Sequence, residues 1–448
     1  MKHTWTSFLP GRKADDAIVP LSVDTSSPAY RTRVYNQFCK NRLAVWSVRL
    51  IGVLIFVALF ADFLANEKPI ACKYKGRVYF PVIREYLVDA GMSAWPQDLL
   101  GADWKKLNYD WSVFPLIPYL PQNLDHDNEH SVSPFGTQKV EFGKWKHWLG
   151  TDELGRDVFS GLLHGTRIAL SVGLVSMGVA LFIGLIFGSL AGYYGDNRLQ
   201  ISRARLFLNF FFGLLGFFYG FGSRSFLLHD ALSDSFSHFL IQLFFSLLIL
   251  AACISIGNLL VGLLKKNAFL SKKVTIPVDL IVSRLIEIML SVPTLFLIIS
   301  VAAILTKPSI FIVMLIIGLT GWTSIARFVR AELLRIRGLD YIESAKALGF
   351  SELRILFRHA LPNALTPVLI AFAFGIASSI LTESLLSFLG IGVPAESITW
   401  GSMLAMARQS PGAWWVALFP GFAIFITVTV YNLIGEGLSD ALDPKQKK

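Results

Sequence analysis

The sequence predicts an all-α polytopic membrane protein, and three observations carry that prediction. Of its 448 residues, 54% are hydrophobic and only 16% are charged, against roughly 25% charge in ordinary soluble domains. Mean hydropathy is +0.55. Several apolar runs reach the ~20 residues that a helix needs to cross the hydrocarbon core of a bilayer. The cysteines Cys39, Cys72 and Cys253 fall before the first apolar run, after it and inside a later one, so a disulfide-stapled secreted fold is excluded. The formal net charge of +10 comes from short Lys and Arg clusters beside apolar runs, not from one basic face with interleaved aromatics. The partner surface this implies is membrane lipid, and no nucleic acid is expected.

Taken in order, residues 1–43 are polar, carry Arg12, Lys13, Arg31, Arg33, Lys40 and Arg42, and lack an early apolar core. They read as a cytoplasmic segment without a signal peptide, so the first span, 44–65, is expected to be an uncleaved anchor. Further spans are expected at 168–194, 206–228, 238–264, 285–306, 309–329, 364–388 and 413–437. Basic clusters follow the second span (Arg198, Arg203, Arg205), the fourth (Lys265, Lys266, Lys272, Lys273) and the sixth (Arg327, Arg330, Arg335, Arg337). Because basic loops stay inside, both termini are expected to be cytoplasmic.

Residues 66–167 then lie outside and are long enough for a small domain. Strand-like alternation surrounds Tyr74 to Phe80, and Pro115 to Pro134 reads as loop. Thr151 and Asp152 are candidate caps for a short helix through Asp157, Val158, Phe159, Leu162 and Leu163, expected on the outer membrane surface. In the second span Gly184, Gly188 and Gly192 recur every four residues, which puts three missing side chains on one helix face and invites close helix packing. Gly216 and Gly220 repeat the signal more weakly in the third.

The polar connection 327–363 is too ordered for a slack tether. Asp340 is placed to cap a short helix through Tyr341, Ile342, Glu343, Ser344, Ala345, Lys346, Ala347 and Leu348, and Gly349 supplies the left-handed backbone that ends a helix. Ser351 is placed to cap a second helix with Leu353, Leu356 and Phe357 on one side, and Pro362 marks the entry to the seventh span. A rigid helix-turn-helix projecting from the membrane is expected. Apolar Ile342, Ala345 and Leu348 at three-residue intervals, with small side chains between them, suit insertion into a partner's groove; the same pattern also fits a helix lying on the membrane surface.

Glu343-Ser344-Ala345, Gly349 and Leu361-Pro362 resemble the EAA loop of the permease subunits of binding-protein-dependent ABC importers, with Ser344 where Ala is general. His359 to Asn363 is similar to the oligopeptide and dipeptide branch of that family. So are His147-Trp148-Leu149-Gly150-Thr151-Asp152-Glu153-Leu154-Gly155-Arg156-Asp157-Val158, Leu381-Thr382-Glu383, Leu386 to Gly390, Trp400 to Leu404 and Asp440 to Pro444, which resemble its C-type subunit. Asn66 to Pro69 and Tyr79 to Pro81 look like the permeases of the Yej-type oligopeptide importer. The resemblance implies a six-helix core of the type I importer fold, a second homologous permease subunit, two ATPase subunits that hold ATP and Mg, and an extracytoplasmic solute-binding protein. It implies uptake of oligopeptides, with dipeptides, nickel chelates or peptide-like antibiotics as alternatives, and a role for residues 340–363 in transmitting ATPase closure. The core would run over 168–445, interrupted by an extra membrane hairpin at 196–275 that ordinary members lack and that reads as a peripheral addition, with a lineage-specific partner site as the alternative.

Other chemistry is weaker. Glu287 and Glu383 are ionisable groups in or near spans and are candidates for the translocation pathway; a proton-coupled secondary transporter, the rival class, would use such carboxylates. His126-Asp127-Asn128-Glu129-His130 fits an H-x-x-E-H zinc string, but the flanking Pro121 and Pro134 disfavour the helix that chemistry needs. No G-x-x-x-x-G-K-[ST] phosphate loop occurs, so no cofactor is expected on this chain and it is not expected to be an enzyme.

Overall fold

The computed structural model describes residues 28–140, 145–234, 236–264, 268–304, 309–392, 394 and 397–442. Residues 1–27, Lys265, Lys266, Asp443 and Pro444, which entered the reading above, lie outside that set. The chain opens with α1 (Pro28–Lys40), α2 (Arg42–Leu59) and α3 (Ala61–Leu64). Asn41 starts α2 by accepting the Ala44 N–H at 3.2 Å.

The segment after it is a small domain. Strands β1 (Ala71–Tyr74), β2 (Arg77–Tyr79) and β3 (Trp111–Val113) form an antiparallel sheet in the order β2-β1-β3. Helix α4 (Pro81–Asp89) packs on β1. Lys75 and Gly76 both take positive φ, +48° and +76°, as a two-residue hairpin turn of matching twist requires.

The short surface helix expected from Thr151 is not separate. Residues 151 and 157 bridge a turn, and Asp157 caps α5 (Val158–Ser189) by accepting the Ser160 N–H at 2.6 Å. Gly150 and Gly155, at φ +79° and +77°, hold the turn out of helical conformation, so the apolar run from Val158 becomes the first turns of one long span. A π-turn, Leu190–Tyr194, ends it.

Next comes a membrane hairpin. Strands β4 (Gln200–Ser202) and β5 (Lys273–Thr275) pair antiparallel at its base. Between them run α6 (Arg203–Phe217), a π-turn, α7 (Ser225–Asp234), α8 (Phe236–Leu264) and α9 (Ala268–Ser271). The third span was expected to reach residue 228; the chain instead breaks after Gly222 and α7 begins anew. Gly220 and Gly216 let α6 and its π-turn approach Ser246 and Leu250 of α8.

The remaining core comprises α10 (Val278–Ser291), α11 (Thr294–Ile304), α12 (Ile310–Ile336), α13 (Asp340–Ala347), α14 (Glu352–Ile355), α15 (Leu361–Phe388), α16 (Trp400–Ala407) and α17 (Trp414–Leu442). The fifth span is not one straight helix: α10 and α11 meet at 81° around Pro293, whose ring and missing N–H break a helix. Helix α12 also carries Arg327, Arg330 and Arg335 within it, so the polar connection starts at 337 rather than 327. Among the described residues seven helices are long and apolar enough to cross a membrane, eight if the bent pair is one span.

Helix α5 lies at the centre, between α12 and α15. A Cβ on Gly184, Gly188 or Gly192 would sit 2.6–2.7 Å from Ile325, the Ala326 carbonyl or the Arg330 carbonyl of α12, so the glycine ladder does bring two backbones into contact. Gly318 of α12 reciprocates against the Ser176 carbonyl, at 2.7 Å. The bundle has two distinct ends. The sheet end joins the tops of α2, α5 and α17: Arg167 donates to the Ala58 carbonyl and to Asp62, and the Trp415 indole to the Thr151 carbonyl. At the other end Asn41 meets Asp440 and Gly437 packs on Ala44, and α13 lies at this same end.

Candidate functional site

Helix α13 and the start of α14 form an elbow between α12 and α15. Leu339, not Asp340, is the N-cap; Asp340 and Glu343 occupy the first turn and Lys346 the last, each complementing the helix dipole. The helix closes with the Phe350 N–H on the Ala345 carbonyl at 3.2 Å and the Gly349 N–H on the Lys346 carbonyl at 2.9 Å. That double bond pattern needs a left-handed residue at the corner, and Gly349 has φ +78°. Ser351 then caps α14, accepting the Arg354 N–H.

The elbow is turned relative to the face expected from its apolar spacing. Ile342 and Ala345 are 0% and 6% exposed, in contact with this chain's own core around Leu333, Ile336, Ile355 and Leu356. Leu348 is 73% exposed. The outward surface is therefore Glu343, Ser344, Ala347, Leu348 and Gly349. Spacing reveals that a stripe exists but not which of two available surfaces it meets. The second arm also differs: α14 runs through a π-turn, Leu356–Ala360, into α15 as one continuous span. Ile355, Leu356 and Ala360 are buried while Leu353 and Phe357 face out.

Pro362 explains the π-turn. A proline inside a helix clashes with the carbonyl four residues back, here Arg358; the Leu361 N–H bonds Leu356 five residues back, which widens the helix just ahead of the ring. Leu361 packs half-buried on the core. Asn363 donates to the His359 carbonyl at 2.8 Å and to the Tyr341 hydroxyl at 3.1 Å, tying α13 to the base of α15. The His359 ring stacks parallel to Phe350, 8° apart, and the Arg354 guanidinium lies 4.8 Å from that same ring.

Sequence reasoning missed three polar links, of which the first joins the elbow to α5 and the other two tie α10 to α12 and to the turn after α5. The Tyr193 hydroxyl, at the π-turn ending α5, donates to Glu352 of α14. Arg330 of α12 grips Asp279 of α10 with two bonds, the Nη2 one at 2.9 Å. Asp196 accepts the Leu280 N–H at 3.0 Å. The available signal was charge placement, since Asp279 and Arg330 stand among apolar helical neighbours.

Of the two carboxylates singled out, Glu287 sits on α10, exposed, with Arg284 at 2.6 Å. Glu383 is 1% exposed near the sheet end of α15, where the Ser387 hydroxyl donates to it at 2.5 Å and Ser384 lies at 3.4 Å. The structure does not bring these two together. The H-x-x-E-H string is a 3₁₀ turn at His126–Asn128 followed by His130 at φ +64°, so its two imidazoles share no helix face.

The His147–Val158 motif is a structural knot. His147 is buried between Asp157 at 2.8 Å and Asp125 at 3.1 Å, stacked on Tyr119 with ring centroids 4.1 Å apart. Burial opposes an imidazolium here, and the two carboxylates outweigh it, raising the His147 pKa. Burial likewise opposes the Asp125 carboxylate, and hydrogen bonds led by His147 bring it down to about 2. Lys105, 3.4 Å over the Tyr119 ring, is pushed down to about 8 by burial. Because the folded His147 pKa is raised, its stabilisation is complete below the unfolded value of about 6.5 and is lost as pH rises through the folded value. The depressed Asp125 contributes fully above about 3.9, and its contribution is lost as pH falls toward about 2. The melting temperature of the purified protein is therefore expected to fall as pH rises from about 6. His147→Phe, which strands two carboxylates, should cost about 3 kcal/mol and flatten that slope; a pH-independent wild-type midpoint would contradict the assignment.

Residues 268–448 match the family described as binding-protein-dependent transport system inner membrane component, and residues 30–75 match the N-terminal TM domain of oligopeptide transport permease C. Similar proteins include the glutathione transport system permease protein GsiD of Pectobacterium atrosepticum, 32% identical over 75% of this chain and 82% of that one. The inner membrane ABC transporter permease protein YejE of Escherichia coli is 28% identical over 94% and 98%. The peptidoglycan transport system permease protein YejE of Agrobacterium fabrum is 27% identical over 94% of each.

Proposed function

Since the chain belongs to the family of binding-protein-dependent inner-membrane permeases of peptide ABC importers, we propose that it takes up oligopeptides and that α13 is the lever through which partner ATPases drive it. One observation supports this most strongly. The elbow is rigidly tied to α5, α12 and α15, yet its outward surface from Glu343 to Gly349 is left open by its own chain. A partner shifts a conformational equilibrium only by binding one state better than the other, and a stiff, exposed corner fixed to three spans is suited to that. Both described ends of the chain share the elbow's end of the bundle, in keeping with cytoplasmic termini and an external sheet domain. ATP and Mg then reside on two ATPase subunits. A second permease completes the path, and a solute-binding protein delivers substrate at the sheet end.

Arg284 and Glu287 extend the proposal. Charges on an apolar helix avoid lipid, and this exposed pair therefore faces the second permease or the translocation path, with Glu287 the better candidate for meeting substrate. Glu383, sealed among serines, serves packing at the sheet end. The hairpin packs chiefly on itself and is a peripheral addition.

The test is uptake into proteoliposomes containing this permease with its partners. Labelled oligopeptide is expected to accumulate only with ATP on the ATPase side and binding protein on the other, unaffected by a proton ionophore. Accumulation without ATP that collapses with the proton gradient would assign the rival transporter class, and dipeptides or glutathione outcompeting oligopeptides would reassign the substrate.

A further inference from the structure

Helix α4 carries an apolar stripe on the wrong side for a soluble domain. Pro81 and Val82 are buried where the helix rests on β1, whereas Ile83, Tyr86, Leu87 and Ala90 are exposed. Those positions, i, i+3, i+4 and i+7, share one helix face. Phe80 just before the helix and Met92 just after it extend the stripe and are also exposed. The polar residues are engaged elsewhere: Glu85 pairs with Lys68, and Arg84 donates to the Ala94 carbonyl.

The depth of this stripe is fixed by one bond. The Tyr86 hydroxyl donates to Asp62, which Arg167 holds from the other side at 2.7 Å. Asp62 stands three positions beyond Leu59, the last residue of the first membrane-spanning helix, and Phe56, Leu59 and Phe60 there are exposed. At 1.5 Å per residue Asp62 is only about 4.5 Å past that helix end. The headgroup layer into which interfacial helices sink is roughly 5–10 Å deep. The stripe therefore lies at the level of the lipid boundary, tied by Tyr86 to Asp62 just past the end of α2, and its tyrosine is of the kind that anchors at that level.

We propose that α4 is an interfacial membrane anchor, with Phe80, Ile83, Leu87 and Met92 immersed in the phospholipid headgroup–acyl boundary of the leaflet at the sheet end. Anchored so, the sheet domain is held flat beside the first span, which sets the height of the surface presented to any external partner.

Nitroxide labels test this directly. In the transporter purified with its partners, carrying Cys39→Ser and Cys253→Ser and retaining Cys72, which is buried, single labels are placed by Ile83→Cys, Leu87→Cys or Asp89→Cys. Samples are reconstituted in phosphatidylethanolamine–phosphatidylglycerol nanodiscs. Collision with oxygen, which concentrates in lipid, is expected to exceed collision with a water-soluble nickel chelate several-fold at 83 and 87, with the opposite order at 89. Ready access of the chelate to 83 and 87 would overturn the anchor in favour of a solvated face. Protection of both from either reagent would overturn it in favour of a protein partner.

Discussion

Gly349→Asp is expected to leave the subunit inserted and assembled while uptake and transport-coupled ATP hydrolysis fall to background. Gly349 sits at φ +78°, and a Cβ built there meets nothing of its own chain within 4 Å. Aspartate is among the residues that tolerate left-handed backbone best, so the cost to the elbow itself stays within roughly 1–2 kcal/mol. What changes is the outward surface, where a branched carboxylate now projects beside Leu348 and Glu343. Loss of function without loss of assembly therefore reports a partner in contact with the corner. Gly349→Asn separates bulk from charge, and Gly338→Ala, at the other end of α13 with its nearest neighbour 4.0 Å from the added Cβ, should remain active. Normal uptake by Gly349→Asp would remove the corner from the coupling mechanism.

Gly188→Leu is expected to prevent the core from forming. Its Cβ would lie 2.7 Å from both the Ala326 carbonyl oxygen and the Val329 Cβ, atoms fixed by the helix backbone and unable to rotate away. Overpacking a core by a methylene or two typically costs 1–3 kcal/mol, and separating two long helices forfeits many contacts at once, so we expect a loss above about 3 kcal/mol. The measurement is the yield and melting temperature of the purified subunit. Gly321→Ala on the same helix as Gly318 is the contrast: its Cβ meets only Ala180, at 3.6 Å, and replacing a helix-interior glycine there should be neutral or stabilising by a few tenths to 1 kcal/mol. Equal behaviour of the two variants would show that the α5–α12 contact is looser than described.

Local features of the elbow were legible because their causes are local. Gly349 and Ser351 announce a corner and a cap, and both stand where the spacing put them. The glycine ladder of α5 was legible for the same reason, as a missing side chain predicts close approach to something. What could not be read was the identity of the opposite surface. Ile342 and Ala345 turn inward because α12 and α14 bring Leu333, Ile336 and Ile355 to the same place, residues up to thirteen positions away along the chain. The knot around His147 was hidden more deeply, since Asp125 lies 22 residues earlier and a loop rich in Asp and Asn gives no sign of which carboxylate will be buried. The bend at Pro293 and the merger of residues 158–163 into α5 were available in principle. Both required weighing a proline or an Asp cap against an unbroken apolar run.

The β4–β5 ribbon closes the base of the membrane hairpin. Three paired positions, Gln200 with Thr275, Ile201 with Val274 and Ser202 with Lys273, bring departure and return side by side, so the interior of the bundle experiences the whole excursion as a tight loop. An unstructured excursion of that length would raise the entropy of closure by only about 2–3 kcal/mol over a short one, and the ribbon with the paired α6 and α8 offsets even that. The hairpin is thus joined to the bundle through a narrow neck, the ribbon of residues 200–202 and 273–275.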